Sequence, residues 1–141
     1  VRVSKSVKEL AEKSNLIITT TSSEKPILHE CDIKLGTHIT AVGADTASKR
    51  ELDISIFNRA DLIIADSISQ CQVRGEISHA LLKNIISSDE IIELGSILSD
   101  KREGRTSKDQ ISVVDLTGIS VQDLQIAKAI YEKYLKEKNE I

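Results

Sequence analysis

Apolar residues fall into two kinds of spacing along the chain. Four short apolar runs, Leu16 to Ile18, His38 to Val42, Leu62 to Ala65 and Ile111 to Val114, are rich in β-branched residues and each ends in a polar turn. Runs of that length, apolar on both faces, predict buried strands of a parallel sheet. Between them the apolar positions recur at helical spacing. Ser6 with Glu9 three residues on reads as a capping box opening a helix over Val7, Leu10 and Ala11. Pro26 breaks the loop before a short helix or turn over Ile27 to Ile33, and Asp53 is placed to cap a short helix over Ile54, Ile56 and Phe57. Helical segments are predicted over Ser69 to Arg74, Glu76 to Leu82 and Ile91 to Leu98. Ser99 to Gln110 reads as a charged surface loop. Ser120 and Asp123 form a second capping box, after which Val121, Leu124, Ala127, Ile130 and Tyr134 give one apolar face to a long terminal helix. The charges of Lys133 to Glu140 read as its solvated face. Strands alternating with helices predict an α/β fold, a mostly parallel sheet flanked by helices.

The strand ends change the picture from fold to chemistry. They carry Thr19 to Ser23, then Gly43-Ala44-Asp45, then Asp66-Ser67, then Asp115-Leu116-Thr117-Gly118. The carboxyl edge of the sheet therefore collects small, polar and acidic groups, and in open α/β sheets that edge is where ligands bind. The stretch GTHITAVGADTASKREL, Gly36 to Leu52, is the centre of this pattern. Small residues after a strand let a ligand approach the backbone, and Asp45 puts a carboxylate at the mouth. Two roles are open to Asp45: capping its own turn through the Ala47 or Ser48 amide, or standing beside a ligand where positive charge develops on nitrogen.

Composition removes several classes. With 19 basic and 22 acidic residues the net charge is -3, and the aromatic residues are Phe57, Tyr131 and Tyr134. Neither clustered positive charge nor a stacking platform for nucleic acid is present. No run reaches the roughly 18 apolar residues of a membrane span, and the first residues lack a signal-peptide pattern, so a cytoplasmic protein is expected. Cys31 and Cys71 have no CxxC spacing and are expected as reduced, partly buried thiols. His29, Cys31 and His38 match no structural zinc pattern, so no metal is expected. His79 reads as a helix-surface or interface residue. G-x-G-x-x-G, G-x-x-x-x-G-K and G-x-S-x-G are all absent.

Four blocks, LIITTTSSEKPIL, GTHITAVGADTASKRELD, DLIIADS and EGRTSKDQISVVDLTGISVQDL, stand in this order and together resemble the ornithine cyclodeaminase/mu-crystallin family over nearly the whole chain. The resemblance implies a partial Rossmann-like fold that binds NAD or NADP. It implies hydride transfer between the nicotinamide and the α-carbon of a small amino-acid or imino-acid substrate. Ornithine cyclodeaminase is the leading label, with alanine dehydrogenase and ketimine or pyrroline-carboxylate reductase as alternatives in the family, and a non-catalytic ligand carrier of mu-crystallin type as an alternative of another class.

Residue by residue, the resemblance places Asp45 on the catalytic aspartate. Thr20, Thr21 and Ser22 fall on a loop passing the cofactor, Val42 and Gly43 on the nicotinamide pocket, Lys49 on a basic residue after the aspartate, and Thr117 and Gly118 on the turn before the last helix. Leu116 departs from the family, where serine is common. Residues 1–141 are expected to form a single domain, the carboxyl-terminal part of a dinucleotide-binding domain without its glycine-rich first strand, turn and helix. The complete protein is expected to be a homodimer, and this stretch alone is expected to turn over no substrate and to bind the dinucleotide weakly.

Overall fold

The computed structural model describes residues 1–139. Five parallel strands form one sheet in the order β1-β2-β5-β3-β4, where β1 is Leu16–Thr19, β2 His38–Ala41, β3 Leu62–Ala65, β4 Ile91–Glu93 and β5 Ser112–Asp115. The helices are α1 (Val7–Lys13), α2 (Ile68–Cys71), α3 (Glu76–Leu82), α4 (Leu94–Leu98) and α5 (Ser120–Asn139), with 3-10 turns at Glu30–Asp32, Ile54–Arg59 and Ser88–Glu90. Among the described residues no helix is long and apolar enough to cross a membrane.

Register explains why the strands hold together. Ile17, Ile39, Val113, Ile63 and Ile91 lie side by side in one row across all five strands, and each is 6% exposed or less. Burying five such side chains stabilises the sheet by roughly 10 kcal/mol at about 2 kcal/mol each. This row packs against Ala11 of α1, Ile56 and Phe57 of the second 3-10 turn, and Ile77 and Ala80 of α3. On the opposite face Leu62, Ile64 and Val114 pack with Leu94 and Ile97 of α4. Leu16 and Ile18 of the edge strand β1 stay exposed on that side.

The expected elements recur with several differences, one of them α2, which covers Ile68–Cys71 where Ser69 to Arg74 was expected. Ile91–Glu93 is a fifth strand, not the start of a helix, because Ile63, Ile64 and Ala65 of β3 offer it a ladder; only Leu94–Leu98 is helical. At the start of α1, the Ser6 hydroxyl accepts the Glu9 amide, but the Glu9 carboxylate turns to the Lys5 amide and the Lys13 ammonium. Ser120 is already inside α5, and the carbonyl of Ile119 before it accepts the Gln122 amide. The apolar residues of α5 do not face the sheet: Leu124, Ile130 and Tyr134 are more than half exposed. Residues 133–138 are solvated as expected, and Glu140 lies outside the described residues. Cys31 is exposed, whereas Cys71 is buried and burial pushes its thiol up to about 12.

Beneath the carboxyl edge of the sheet lie three buried carboxyl groups, Glu51, Glu76 and Asp115, each 1% exposed or less. Asp115 accepts the amide of Ile77 at 2.9 Å, so it holds the first turn of α3. Gly75 makes room for it: φ is +83°, and a Cβ there would stand 2.5 Å from the Asp115 carboxylate. Glu76 accepts the amides of Glu51 (2.6 Å) and Leu52 (3.1 Å). Burial pushes Glu76 up to about 8 against the pull of those two amides, with the charges of Asp115 and Glu51 adding to the rise. Burial likewise pushes Asp115 up to about 7.

Folding therefore takes up protons at both groups. The stabilisation is complete below the ordinary values of 4.5 and 3.8 and is lost as pH rises through the folded values, because the unfolded chain then binds fewer protons than the folded one. His38 works in the opposite sense, since burial and the charge of Arg105 lower its pKa below 6.5, so it penalises folding only in more acid solution. Above about pH 6.5 the buried carboxyls act alone among these groups. The expected outcome is a urea midpoint that falls between pH 6.5 and 8.5 in the native chain and changes much less in E76Q. An equal slope in both proteins contradicts this assignment.

Candidate active site

Four strands end flush. Thr19, Ala41, Asp115 and Ala65 are paired across the sheet, so the loops that follow leave from one line. The Val42 amide bonds to the Thr19 carbonyl at 2.9 Å, and the Leu116 amide to the Ala41 carbonyl at 2.8 Å, carrying the ladder one residue further. Beyond that point the chain turns away and opens a cleft of about 260 Å³ lined by Val42, Asp45, Leu116, Thr117, Gly118 and Gln122. Four of the residues singled out from the sequence, Val42, Asp45, Thr117 and Gly118, are thus neighbours.

Asp45 is exposed at the rim. Its Oδ1 accepts a hydrogen bond from Lys49 Nζ at 2.7 Å, a pair one helical turn apart in number though not in a helix. That hydrogen bond holds the Asp45 carboxyl below its ordinary range, and the charges of Lys49 and Arg74 add to the effect. The carboxylate is ionised throughout the neutral range. The turn-capping role does not materialise, since the partner of the side chain is Lys49.

Thr117 and Gly118 are held from the neighbouring strand. Asp66, at the end of β3, accepts the Thr117 hydroxyl at 3.2 Å and the Gly118 amide at 2.9 Å. Gly118 has φ of +82°, a conformation that glycine adopts at no steric cost. Gly43 sits behind the rim with its amide on Glu51 Oε2 at 2.9 Å. A Cβ on Gly43 would stand 2.1 Å from the Thr21 carbonyl oxygen, so no other residue fits there.

The remaining candidates are less close. The Thr21 amide is bonded to Glu51 Oε1, which ties its loop to Gly43, and its side chain is exposed. Thr20 is exposed and lines a separate hollow with Val7 and Leu10 of α1. Ser22 is exposed on the same loop and does not line the cleft. His29 lies 3.5 Å from Asp53, and His38 is hydrogen-bonded to Ser112 at 2.7 Å and Thr40 at 3.2 Å, so neither reaches the strand ends. His79 is half-buried, its Nε2 at 3.1 Å from the Lys49 carbonyl.

Several residues that shape the site gave little warning in the sequence. Asp66 was visible only as an acid after a strand, Glu76 as an ordinary first-turn acid of α3, and Gln122 as a polar position of α5. Glu51 stands in Lys49-Arg50-Glu51 and has the local pattern of a solvated turn, yet it is fully buried. A glycine ahead of a helix was the one available sign of Gly75.

Larger hollows lie at residues 97–106 (about 340 Å³), around Leu81 and residues 84–90 (about 540 Å³), and over the sheet face of His38, Thr40, Ile64 and Val114 (about 420 Å³), the last sharing Leu116 with the edge cleft. The edge cleft is smaller than the usual several hundred Å³ of a complete ligand pocket. The open space beside Gly118 and the ionised carboxylate at the rim fit the nicotinamide end of a dinucleotide cofactor. A phosphate-binding glycine turn is not among the described residues.

Known proteins resemble this chain in sequence and in fold. The chain is 35% identical to the alanine dehydrogenase of Archaeoglobus fulgidus over 130 residues, 92% of this chain and 40% of that protein. It superimposes on the iminosuccinate reductase of Paracoccus denitrificans in complex with NAD+ with a TM-score of 0.87 at 34% identity, covering 93% of this chain and 40% of the other. The Δ1-pyrroline-2-carboxylate reductase of Thermococcus litoralis, in complex with NADH and L-proline, gives 0.87 at 27% identity, covering 96% and 42%. The chain thus spans about two fifths of the length of the relatives it matches. With residues 1–138 matching the family profile, the chain belongs to the ornithine cyclodeaminase/mu-crystallin family.

Proposed function

We propose that this chain is part of an NAD- or NADP-dependent enzyme that transfers hydride at the α-carbon of a small amino or imino acid, with the edge cleft receiving the nicotinamide and Asp45 beside the reacting nitrogen. The observation that carries the proposal is the ionised Asp45 carboxylate, fixed by Lys49 at 2.7 Å, on the rim of a cleft that Thr117 and Gly118 also line. Val42, Leu116, Thr117 and Gly118 form its wall with Gly43 behind it, and the loop of Thr20, Thr21 and Ser22 continues the cofactor surface along the edge.

When bound, the dinucleotide supplies a two-electron acceptor or donor. Loss of hydride from the α-carbon of an amino acid leaves positive charge on the substrate nitrogen, and a carboxylate already in place stabilises that cation more than the neutral amine. In the reductive direction the same carboxylate favours the protonated imine. Such a contact at about 4 Å is worth about 1 kcal/mol in water and about 4 kcal/mol at an effective dielectric constant of 20. Asp45 thus becomes effective when substrate and the apolar wall of Val42 and Leu116 exclude water. Lys49 keeps the carboxylate deprotonated and limits its rotation.

Relatives at 34% identity or more include an alanine dehydrogenase and an iminosuccinate reductase beside a protein of Sinorhizobium fredii named an uncharacterized cyclodeaminase at 37%, and we take the net dehydrogenase or imine reductase as the reading to test first. In the complete protein D45N is expected to lower kcat/KM by about 10²- to 10³-fold, the usual consequence of removing one charge-stabilising group, and to leave the cofactor Kd within about twofold. A steady-state assay paired with NADH titration checks this; turnover unchanged by D45N would remove Asp45 from the chemistry, and NADH binding with no turnover in the native protein would point instead to a non-catalytic carrier.

The complete protein, given L-alanine or L-ornithine and less NAD+ than substrate, is expected to release ammonia only up to the amount of cofactor, with reduced cofactor accumulating. Ammonia from L-ornithine in large excess over the cofactor, without accumulation of reduced cofactor, would show that hydride is returned and would establish a cyclodeaminase.

A further inference from the structure

We propose that Glu51 is the positioning residue of this site, a single buried carboxylate that sets the separation of the two loops flanking the cleft. The proposal rests on the cofactor reading above. Thr21 belongs to the loop after β1 and Gly43 to the loop after β2, and both lie past the point where the sheet ladder ends. Their amides need acceptors that no strand supplies. Glu51 Oε1 takes the Thr21 amide and Oε2 takes the Gly43 amide at 2.9 Å, so one side chain serves both.

The aim of that side chain is fixed from behind. The Glu51 amide donates to Glu76 Oε1 at 2.6 Å, and the Glu51 carbonyl accepts the amides of Ile27 at 2.7 Å and Leu28 at 3.1 Å. Glu76 is itself at the start of α3, beside the Ile77 amide that Asp115 accepts. A continuous line of carboxylate-to-amide bonds therefore runs from the end of β5 through α3 to the loops after β1 and β2.

The fit is specific to a carboxylate and a glycine. Two converging amides need two acceptor oxygens, and a glutamine would turn its NH2 against one of them. An aspartate would draw the oxygens back by about one carbon–carbon bond, roughly 1.5 Å. A Cβ on Gly43 would stand 2.6 Å from the Glu51 carboxyl carbon, so the glycine is the space into which Glu51 reaches. Gly43 is one residue from Val42 and two from Asp45, both of which line the cleft. Release of the Gly43 amide displaces Asp45, and errors of about 1 Å at a reacting group cost on the order of 10²-fold in rate.

The test has two parts. In the 141-residue chain, with no cofactor present, amide hydrogen exchange is measured for the native protein and E51Q. Exchange at Thr21 and Gly43 is expected to accelerate at least tenfold while Val113 in β5 stays protected; native protection at both amides overturns the proposal. Should E51Q fail to fold, E51D keeps the charge and is read in its place, with the same two amides expected to open. In the complete protein, E51Q or E51D is expected to raise the NADH Kd about tenfold and lower kcat, measured per active site so that loss of folded protein does not count. Opened amides with Kd and kcat both within twofold of native also overturn it. Because the exchange experiment contains no cofactor, its failure is separate from failure of the cofactor reading, which an absence of NADH binding by the native complete protein would reveal.

Discussion

Past the end of a parallel sheet, backbone amides lose their ladder partners, and in this chain buried carboxylates take over. Asp115 holds Ile77, Glu76 holds Glu51 and Leu52, and Glu51 holds Thr21 and Gly43. An amide left unpaired in such a place costs about 1–3 kcal/mol, and a buried charge without partners costs more. Each therefore supplies what the other lacks. The arrangement is also expensive, since burial pushes Glu76 and Asp115 toward neutrality, helped at Glu76 by the charges of Asp115 and Glu51 and at Asp115 by that of Asp66. Its return is geometric: loops that are 22 residues apart in sequence, at Thr21 and Gly43, are held on one carboxylate.

The same constraint explains which residues are small. Gly75 leaves space for Asp115, Gly43 for Glu51 and the Thr21 carbonyl, and Gly118 takes a positive φ where Asp66 holds its amide. Flexibility is not the reason for these glycines. Two of them are the voids that a buried carboxylate fills. The third lets the turn after β5 bend at the cleft.

Much of the fold was legible because buried parallel strands announce themselves as short β-branched runs. Leu16, Ile39, Leu62 and Val113 all lie in strands where the pattern put them. β4 escaped because Ile91-Ile92-Glu93 runs directly into the helical Leu94–Leu98, and only pairing with β3 distinguishes the two. The apolar face of α5 was legible as a face, but what it packs against is a question of tertiary structure that periodicity does not answer. In the site, Asp45, Val42, Thr117 and Gly118 converge because the strands preceding them end in register. Thr20 and Ser22 belong to the same edge but stand outside the cleft. Glu51 was illegible for a physical reason: burial of a glutamate depends on amides eight and thirty residues away, and no local pattern encodes them.

The central claim is that the flush ends of β1, β2 and β5 receive the nicotinamide end of a dinucleotide. Titrating millimolar NADH into the ¹⁵N-labelled chain and following amide chemical shifts tests it most directly. The account predicts shifts concentrated at Thr20 to Ser22, Val42 to Asp45 and Thr117 to Gly118, with the opposite end of the sheet around Asn15 and Thr37 unmoved. Shifts centred on the hollows at residues 97–106 or 84–90, or none at the strand ends, would contradict it.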